Sequence, residues 1–137
     1  MVYLTRIEHF NAAHRLYNPR WSKEKNEEVF GKCANENFHG HNFELYVTVK
    51  GEPDPDTGFI FDAKKLGELV NKKIIKKLDH HNLNLDVDFM QDKLCSIENL
   101  VTGIWNQLVP ELPASVQLYR LRLVETDKIY VEYFGGQ

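Results

Sequence analysis

Long apolar runs are missing from this chain. No stretch reaches the ~18 residues that a membrane-spanning helix needs, so no membrane part is expected. Basic blocks are missing too. Lys and Arg number 17 against 20 Asp and Glu, for a formal charge of −3. A surface built to hold nucleic acid would need a cationic excess or cluster, so no nucleic-acid partner is expected. The one dense charge run, Lys23-Glu24-Lys25-Asn26-Glu27-Glu28, mixes signs and reads as a solvated helical turn. No glycine-rich nucleotide motif occurs, which excludes the usual route to dinucleotide-dependent redox chemistry. Cysteine is scarce, with only Cys33 and Cys95. Met1 to Arg6 lacks the apolar segment of a secretion signal. Two free thiols in a reducing cytoplasm are therefore expected. Internal repeats and low-complexity tracts are absent, and 137 residues suit one domain spanning 1–137.

What is present is a clear alternation of strand and helix patterns. Val2 to Phe10 is rich in β-branched and aromatic residues and reads as a strand. From His41 to Lys50 the residues Phe43, Leu45, Val47 and Val49 take one face, and Asn42, Glu44, Tyr46 and Thr48 the other. Gly51 to Gly58 is dense in turn formers and ends that strand. Asp62 looks like a helix N-cap. Leu66, Leu69, Val70, Ile74, Ile75 and Leu78 then mark an amphipathic helix from Ala63 to Leu78. A second helix runs from Ile97 to about Leu108, stopped by Pro110. Leu118 to Glu125 and Ile129 to Phe134 form the last strands, joined by Thr126-Asp127-Lys128. A long excursion between Asn11 and Phe38 holds a short helix at Ser22 to Glu28. The order β-β-α-α-β-β predicts an α+β domain, a four-stranded antiparallel sheet with two helices on one face. Such a sheet leaves open edges and an uncovered face, which favours association.

The most informative segment is Cys33-Ala-Asn-Glu-Asn-Phe-His39-Gly-His41. Side chains two apart on a strand share a face, so His39 and His41 can aim at one point. His14, in Phe10-Asn11-Ala12-Ala13-His14-Arg15-Leu16, follows another strand-like run. Neutral imidazole is the commonest protein ligand for zinc, and three histidines with one open position describe a catalytic rather than a structural ion. Cys33 sits between Lys32 and this site, and both neighbours favour thiolate. Asp79-His80 pairs a carboxylate with an imidazole, a common device for tuning proton transfer. Glu125 shares a strand face with Leu121 and Leu123, where a carboxylate is costly unless it meets donors.

These segments, in this order, resemble the 6-pyruvoyl-tetrahydropterin synthase family over nearly the whole chain. The resemblance is carried by Phe10 to Leu16, by Phe30-Gly31-Lys32-Cys33 through His39-Gly40-His41-Asn42-Phe43, and by Leu78-Asp79-His80-His81-Asn82-Leu83-Asn84. Ser96-Ile97-Glu98-Asn99 and Val124-Glu125-Thr126 complete it. It implies the tunnelling fold, in which three sheets join into a barrel and two barrels stack as a homohexamer. It implies one Zn²⁺ per chain on His14, His39 and His41. Cys33 would be the general base, assisted by Asp79 and His80. Glu125 would anchor the pterin and share in the proton relay, with Ser96 and Glu98 in the same pocket.

The implied reaction converts 7,8-dihydroneopterin triphosphate to 6-pyruvoyl-tetrahydropterin with loss of triphosphate, a carbon–oxygen lyase step of tetrahydrobiopterin synthesis. A sister activity, 6-carboxy-tetrahydropterin synthase on the route to queuosine and other deazapurines, uses the same substrate. Five residues separate Cys33 from His39, a spacing that resembles the pyruvoyl branch. A non-catalytic pterin- or zinc-binding module would not need Cys33, Asp79, His80 and Glu125 together. Arg15, Arg20 and Lys32 are the cations nearest in sequence for a triphosphate, and His81 has no assigned role.

Overall fold

The computed structural model of the chain describes residues 1–136. Its framework is two long strands, β1 (Val2–His14) and β2 (His39–Gly51), antiparallel over their full length from Val2 opposite Gly51 to His14 opposite His39. β4 (Gln117–Thr126) pairs antiparallel with β2, and β5 (Ile129–Tyr133) with β4. A two-residue β3 (His81–Asn82) lies parallel to β1 at Ala12 and Ala13, giving the order β3-β1-β2-β4-β5. The four long strands are those the alternation predicts. The fifth makes the sheet mixed, and it exists because the chain leaving the helical segment docks on the edge of β1. There the His80 amide donates to the Asn11 carbonyl at 2.6 Å and the Leu83 amide to the Ala13 carbonyl at 2.8 Å.

β1 does not stop at Phe10, as β-propensity suggests, but runs to His14. Asn11-Ala12-Ala13 are weak strand formers, and the ladder to β2 overrides them. One face of the sheet is the core. Phe10 and Ala12 from β1, Phe43, Leu45, Val47 and Val49 from β2, and Leu121 and Leu123 from β4 all point into it.

Helices cover that face. Asp62 caps α2 (Ala63–Val70), its carboxylate accepting from the Lys64 amide at 2.9 Å. The helix widens into a π turn at Asn71–Ile75 and ends as α3 (Lys76–Leu78). Its apolar stripe, Leu66, Val70, Ile74 and Leu78, is 1% exposed or less. α4 (Ile97–Leu108) buries Leu100, Ile104 and Leu108 in the same way, and Pro110 sits in the 3₁₀ turn that ends it. α1 (Lys23–Phe30) is a third helix, capped by Ser22 and confined to the excursion between β1 and β2. Gly31 closes it at φ 58, a conformation suited to glycine, and leads into a 3₁₀ turn at Gly31–Ala34.

Among the described residues no helix covers the opposite face. Tyr3, Ile7 and Tyr130 stand exposed on it, and Arg122 lies over the Tyr130 ring at 4.0 Å. The outer edge of β5, and that of β1 before Ala12, have no strand partner among the described residues. No helix among them is long and apolar enough to cross a membrane.

Candidate metal centre

The strand register assembles this site. His14 lies opposite His39, and Ala12 opposite His41. The three imidazoles therefore continue the core-facing rows that begin with Phe10, Phe43 and Leu45. Ring centroids stand 4.6 Å apart for His14 and His39, 5.0 Å for His39 and His41, and 5.3 Å for His14 and His41. One nitrogen from each ring lies within 4.8 Å of the other two, a grouping that can hold a metal ion.

Hydrogen bonding fixes which nitrogen His14 offers. Its Nδ1 is 2.7 Å from the Cys95 carbonyl oxygen. A carbonyl only accepts, so Nδ1 carries the proton and Nε2 keeps its lone pair. Three buried imidazole nitrogens lack a hydrogen-bond partner among the described residues: His14 Nε2, His39 Nδ1 and His41 Nε2. A buried polar atom without a partner is costly. Three of them converging is what a nitrogen set for a first-row divalent cation requires, and the residues fit such an ion.

Burial keeps His14 and His39 neutral and able to bind. Burial pushes the His14 imidazole down to about 4 from 6.5; the Cys95 carbonyl opposes that, and His39 and His41 add to it. His39 is lowered as well, by burial first and then by His41. Protons therefore compete poorly for the His14 and His39 nitrogens at neutral pH.

Glu125 faces the same space. The β4–β5 ladder pairs Val124 with Tyr130 and Thr126 with Ile129, so Glu125 is the extra residue of a bulge. Bulges commonly re-aim a side chain. Its Oε2 is 3.7 Å from both His14 Nε2 and His41 Nε2, too far for a hydrogen bond and close enough to line one cavity with them.

The start of α4 touches the cluster through the Cys95 carbonyl. Cys95 itself is 1% exposed, and burial pushes its thiol up to about 11, so its backbone rather than its sulfur contributes. Ser96 caps α4, its hydroxyl accepting from the Asn99 amide at 3.2 Å, and Glu98 is exposed in the first turn. Cys33 is a free, half-buried thiol in the turn after α1. Its carbonyl accepts from the Leu16 amide at 2.7 Å, which ties this turn to the residue two beyond His14.

Asp79 and His80 form a pair of their own. Asp79 Oδ1 accepts from the Asn11 amide at 2.8 Å on the outer edge of β1, and Oδ2 lies 3.1 Å from His80 Nδ1. The Asn11 amide first, and His80 after it, hold this carboxyl below the usual range. His80 has φ 61 and an 83% exposed side chain. Among the described residues no hydrogen bond or ion pair joins this pair to Cys33 or to the three histidines. His81 Nδ1 lies 2.8 Å from the Asp79 carbonyl oxygen.

The fold thus brings His14, His39, His41 and Glu125 together, sets Ser96 next to the Cys95 carbonyl that holds His14, ties the Cys33 turn to Leu16, and leaves Glu98 exposed on α4 and Asp79–His80 apart. Two contributors carry no side-chain signal in the sequence. One is the Cys95 carbonyl. The other is Asn84, which accepts from the Arg15 amide at 2.9 Å and donates to the Arg15 carbonyl at 3.1 Å.

Comparison with known proteins finds similarity over nearly the whole chain. The family model described as "6-pyruvoyl tetrahydropterin synthase" matches residues 3–136. A protein of Poecilia reticulata named 6-pyruvoyl tetrahydrobiopterin synthase is 44% identical over 133 residues, 97% of this chain and 90% of that protein. The Homo sapiens protein of the same name is 43% identical over 126 residues, 92% of this chain and 86% of its own length. The solved Caenorhabditis elegans 6-pyruvoyl tetrahydropterin synthase superposes with a TM-score of 0.91 at 35% identity, covering 98% of this chain and 96% of that one.

Proposed function

Because the chain belongs to the 6-pyruvoyl tetrahydropterin synthase family, we propose that it is a lyase converting 7,8-dihydroneopterin triphosphate to 6-pyruvoyl-tetrahydropterin, with release of triphosphate. The observation that carries the reading is the convergence of three unpartnered imidazole nitrogens, faced by one carboxylate, at the end of an otherwise apolar row. Identity of 44% to a relative named for this activity supports it further.

The residues divide the work as follows. His14, His39 and His41 hold one zinc ion. When bound, zinc supplies Lewis acidity to the hydroxyls of the substrate side chain and stabilises negative charge beside them. Cys33, as thiolate, takes the proton from the adjacent carbon. Asp79 orients His80, and the pair moves protons at the side chain. Glu125 accepts from the pterin amino group and the neighbouring ring N–H, and its nearness to two metal-binding nitrogens lets it pass a proton as well. Ser96 and Glu98 border the ring. Hydrogen is redistributed within the substrate as triphosphate leaves, so no external oxidant or reductant is needed.

A pair as exposed as Asp79–His80 serves best in the site of a neighbouring subunit. The bare sheet face and the unpaired edges of β1 and β5 support a homohexamer built as two stacked trimers. The free thiols suit the cytoplasm. Product analysis with 7,8-dihydroneopterin triphosphate tests the reaction. The zinc-loaded protein should yield 6-pyruvoyl-tetrahydropterin and inorganic triphosphate in equal amounts. A 6-carboxy product, or none, would overturn the proposal.

A further inference from the structure

His14 is the last residue of the β1–β2 ladder. It pairs with His39, and no residue of β2 lies opposite Arg15. Phe38, at φ 69, breaks the extended run just before His39. Ladder ends are where strands fray, yet a metal-binding nitrogen must keep its distance to the ion within ~0.2 Å. The Cys95 carbonyl holds the His14 ring. The backbone that carries the ring is held from β3. There the Leu83 amide donates to the Ala13 carbonyl at 2.8 Å. The chain then turns, with Asn82 Oδ1 accepting from the Asn84 amide at 2.9 Å and Asp86 Oδ2 from the Asn82 amide at 2.9 Å. From this turn the half-buried Asn84 side chain reaches back to β1. Its Oδ1 accepts from the Arg15 amide at 2.9 Å, and its Nδ2 donates to the Arg15 carbonyl at 3.1 Å. Two bonds to the N–H and C=O of one residue are what a partner strand makes in an antiparallel pair. A carboxamide carries the same donor and acceptor as a peptide group. Asn84 therefore continues the ladder past His14, where β2 has ended.

We propose that Asn84 is a positioning residue of the metal centre: by clamping the Arg15 peptide it fixes the His14 backbone, and so sets how tightly the three histidines hold a divalent cation. This rests on the ligand set proposed above and not on the reaction. The ring bond to Cys95 orients Nε2 only while the Cα of His14 stays in place, so the two restraints act in series. Their sources are separate loops, one before α4 and one after β3. A third bond, from the Leu16 amide to the Cys33 carbonyl, follows directly on the clamped residue. The run from Ala13 to Leu16 is thus held at each residue although its β2 partner stops at His39.

The test uses zinc alone on the full-length protein. Competition with a chromophoric chelator gives the affinity, and X-ray absorption at the zinc edge gives the spread of metal–nitrogen distances. Asn84→Ala removes both bonds. Asn84→Asp has the same shape, keeps the acceptor for the Arg15 amide and loses the donor. Asp62→Ala is the control: it removes the α2 cap, and Asp62 shares a cavity with Lys50 and Gly51 at the other end of β2. Asn84→Ala should weaken zinc binding about tenfold to a hundredfold, as loss of a group that orients a ligand does, and should widen the distance spread. Asn84→Asp should fall between it and the unmodified protein. Asp62→Ala should lower the thermal midpoint with affinity and spectrum unmoved. If Asn84→Ala keeps full affinity while His14→Ala loses the metal, the positioning role is overturned and the ligand set stands. If His14→Ala also keeps it, the ligand set falls and the proposal with it. If Asp62→Ala weakens zinc as much as Asn84→Ala at the same loss of midpoint, the effect is one of stability alone and the proposal is overturned. Should Asn84→Ala not fold, full affinity in Asn84→Asp would overturn it as well.

Discussion

The core-facing row of β2 has two halves. From Phe43 to Val49 it is dry, with Phe43, Leu45, Val47 and Val49 at 1% exposure or less. From His41 back to His39 the same row, in the same strand and with the same alternation, carries imidazoles whose buried nitrogens meet no donor or acceptor. One half lowers the free energy of the fold by removing hydrocarbon from water. The other raises it, since each uncommitted polar atom forfeits its hydration. The geometry that secures the first half, a thirteen-residue antiparallel ladder between β1 and β2, positions the second. Function is written here as a local departure from good core design at the end of a well-designed strand.

Exchanging the character of the two halves should have opposite consequences. His41→Ala should abolish metal retention and turnover together, with little loss of thermal stability in the metal-free chain, because an orphaned polar atom is removed. Leu45→Ala should keep the metal and cost ~2–5 kcal/mol of unfolding free energy. Metal analysis on the folded fraction and urea titration separate the two, and normal zinc content in His41→Ala would remove that residue from the ligand set. Cys33→Ala should lower turnover by ~10²–10⁴-fold while zinc and fold persist. Loss of metal in that variant would make Cys33 a ligand instead of a base.

A smaller effect comes from pH. In the metal-free chain His14 is held at about 4, against 6.5 for an ordinary imidazole. Above pH 6.5 it is neutral in both the folded and unfolded states and contributes no pH dependence. As pH falls from 6.5 toward 4 the unfolded chain takes up the proton and the folded chain does not. Stability should therefore drop over that window by about 3 kcal/mol from this residue, and no further below it. Denaturation midpoints across the window should flatten in His14→Asn, and an unchanged slope would assign the acid sensitivity elsewhere. Ser96→Ala should show the least, about 1 kcal/mol from loss of the α4 cap. KM distinguishes its roles: a cap alone leaves KM untouched, and a pocket residue raises it.

The long strands, both amphipathic helices and the histidine set were legible because each rests on a period or a spacing. β3 was not, since two residues carry no period and His81–Asn82 become a strand only by docking on β1. Asn26 belongs to a charge run whose composition suggests a solvated turn, yet it is fully buried, its amide serving the Asn18 backbone at 2.7 and 3.0 Å. Composition marks the turn as polar but cannot show that one polar side chain is turned inward to hold the excursion together.

The hydrogen bond from His14 to the Cys95 carbonyl joins residues 81 apart in the chain. Contacts of such long range form late, after shorter loops have closed. The nascent polypeptide thus lacks the bond that fixes the His14 imidazole until the loop before α4 has returned to the end of β1. Tight uptake of a spectroscopically visible ion such as cobalt(II) would accordingly report the docking of this loop, because it is the loop that holds the His14 ring in place.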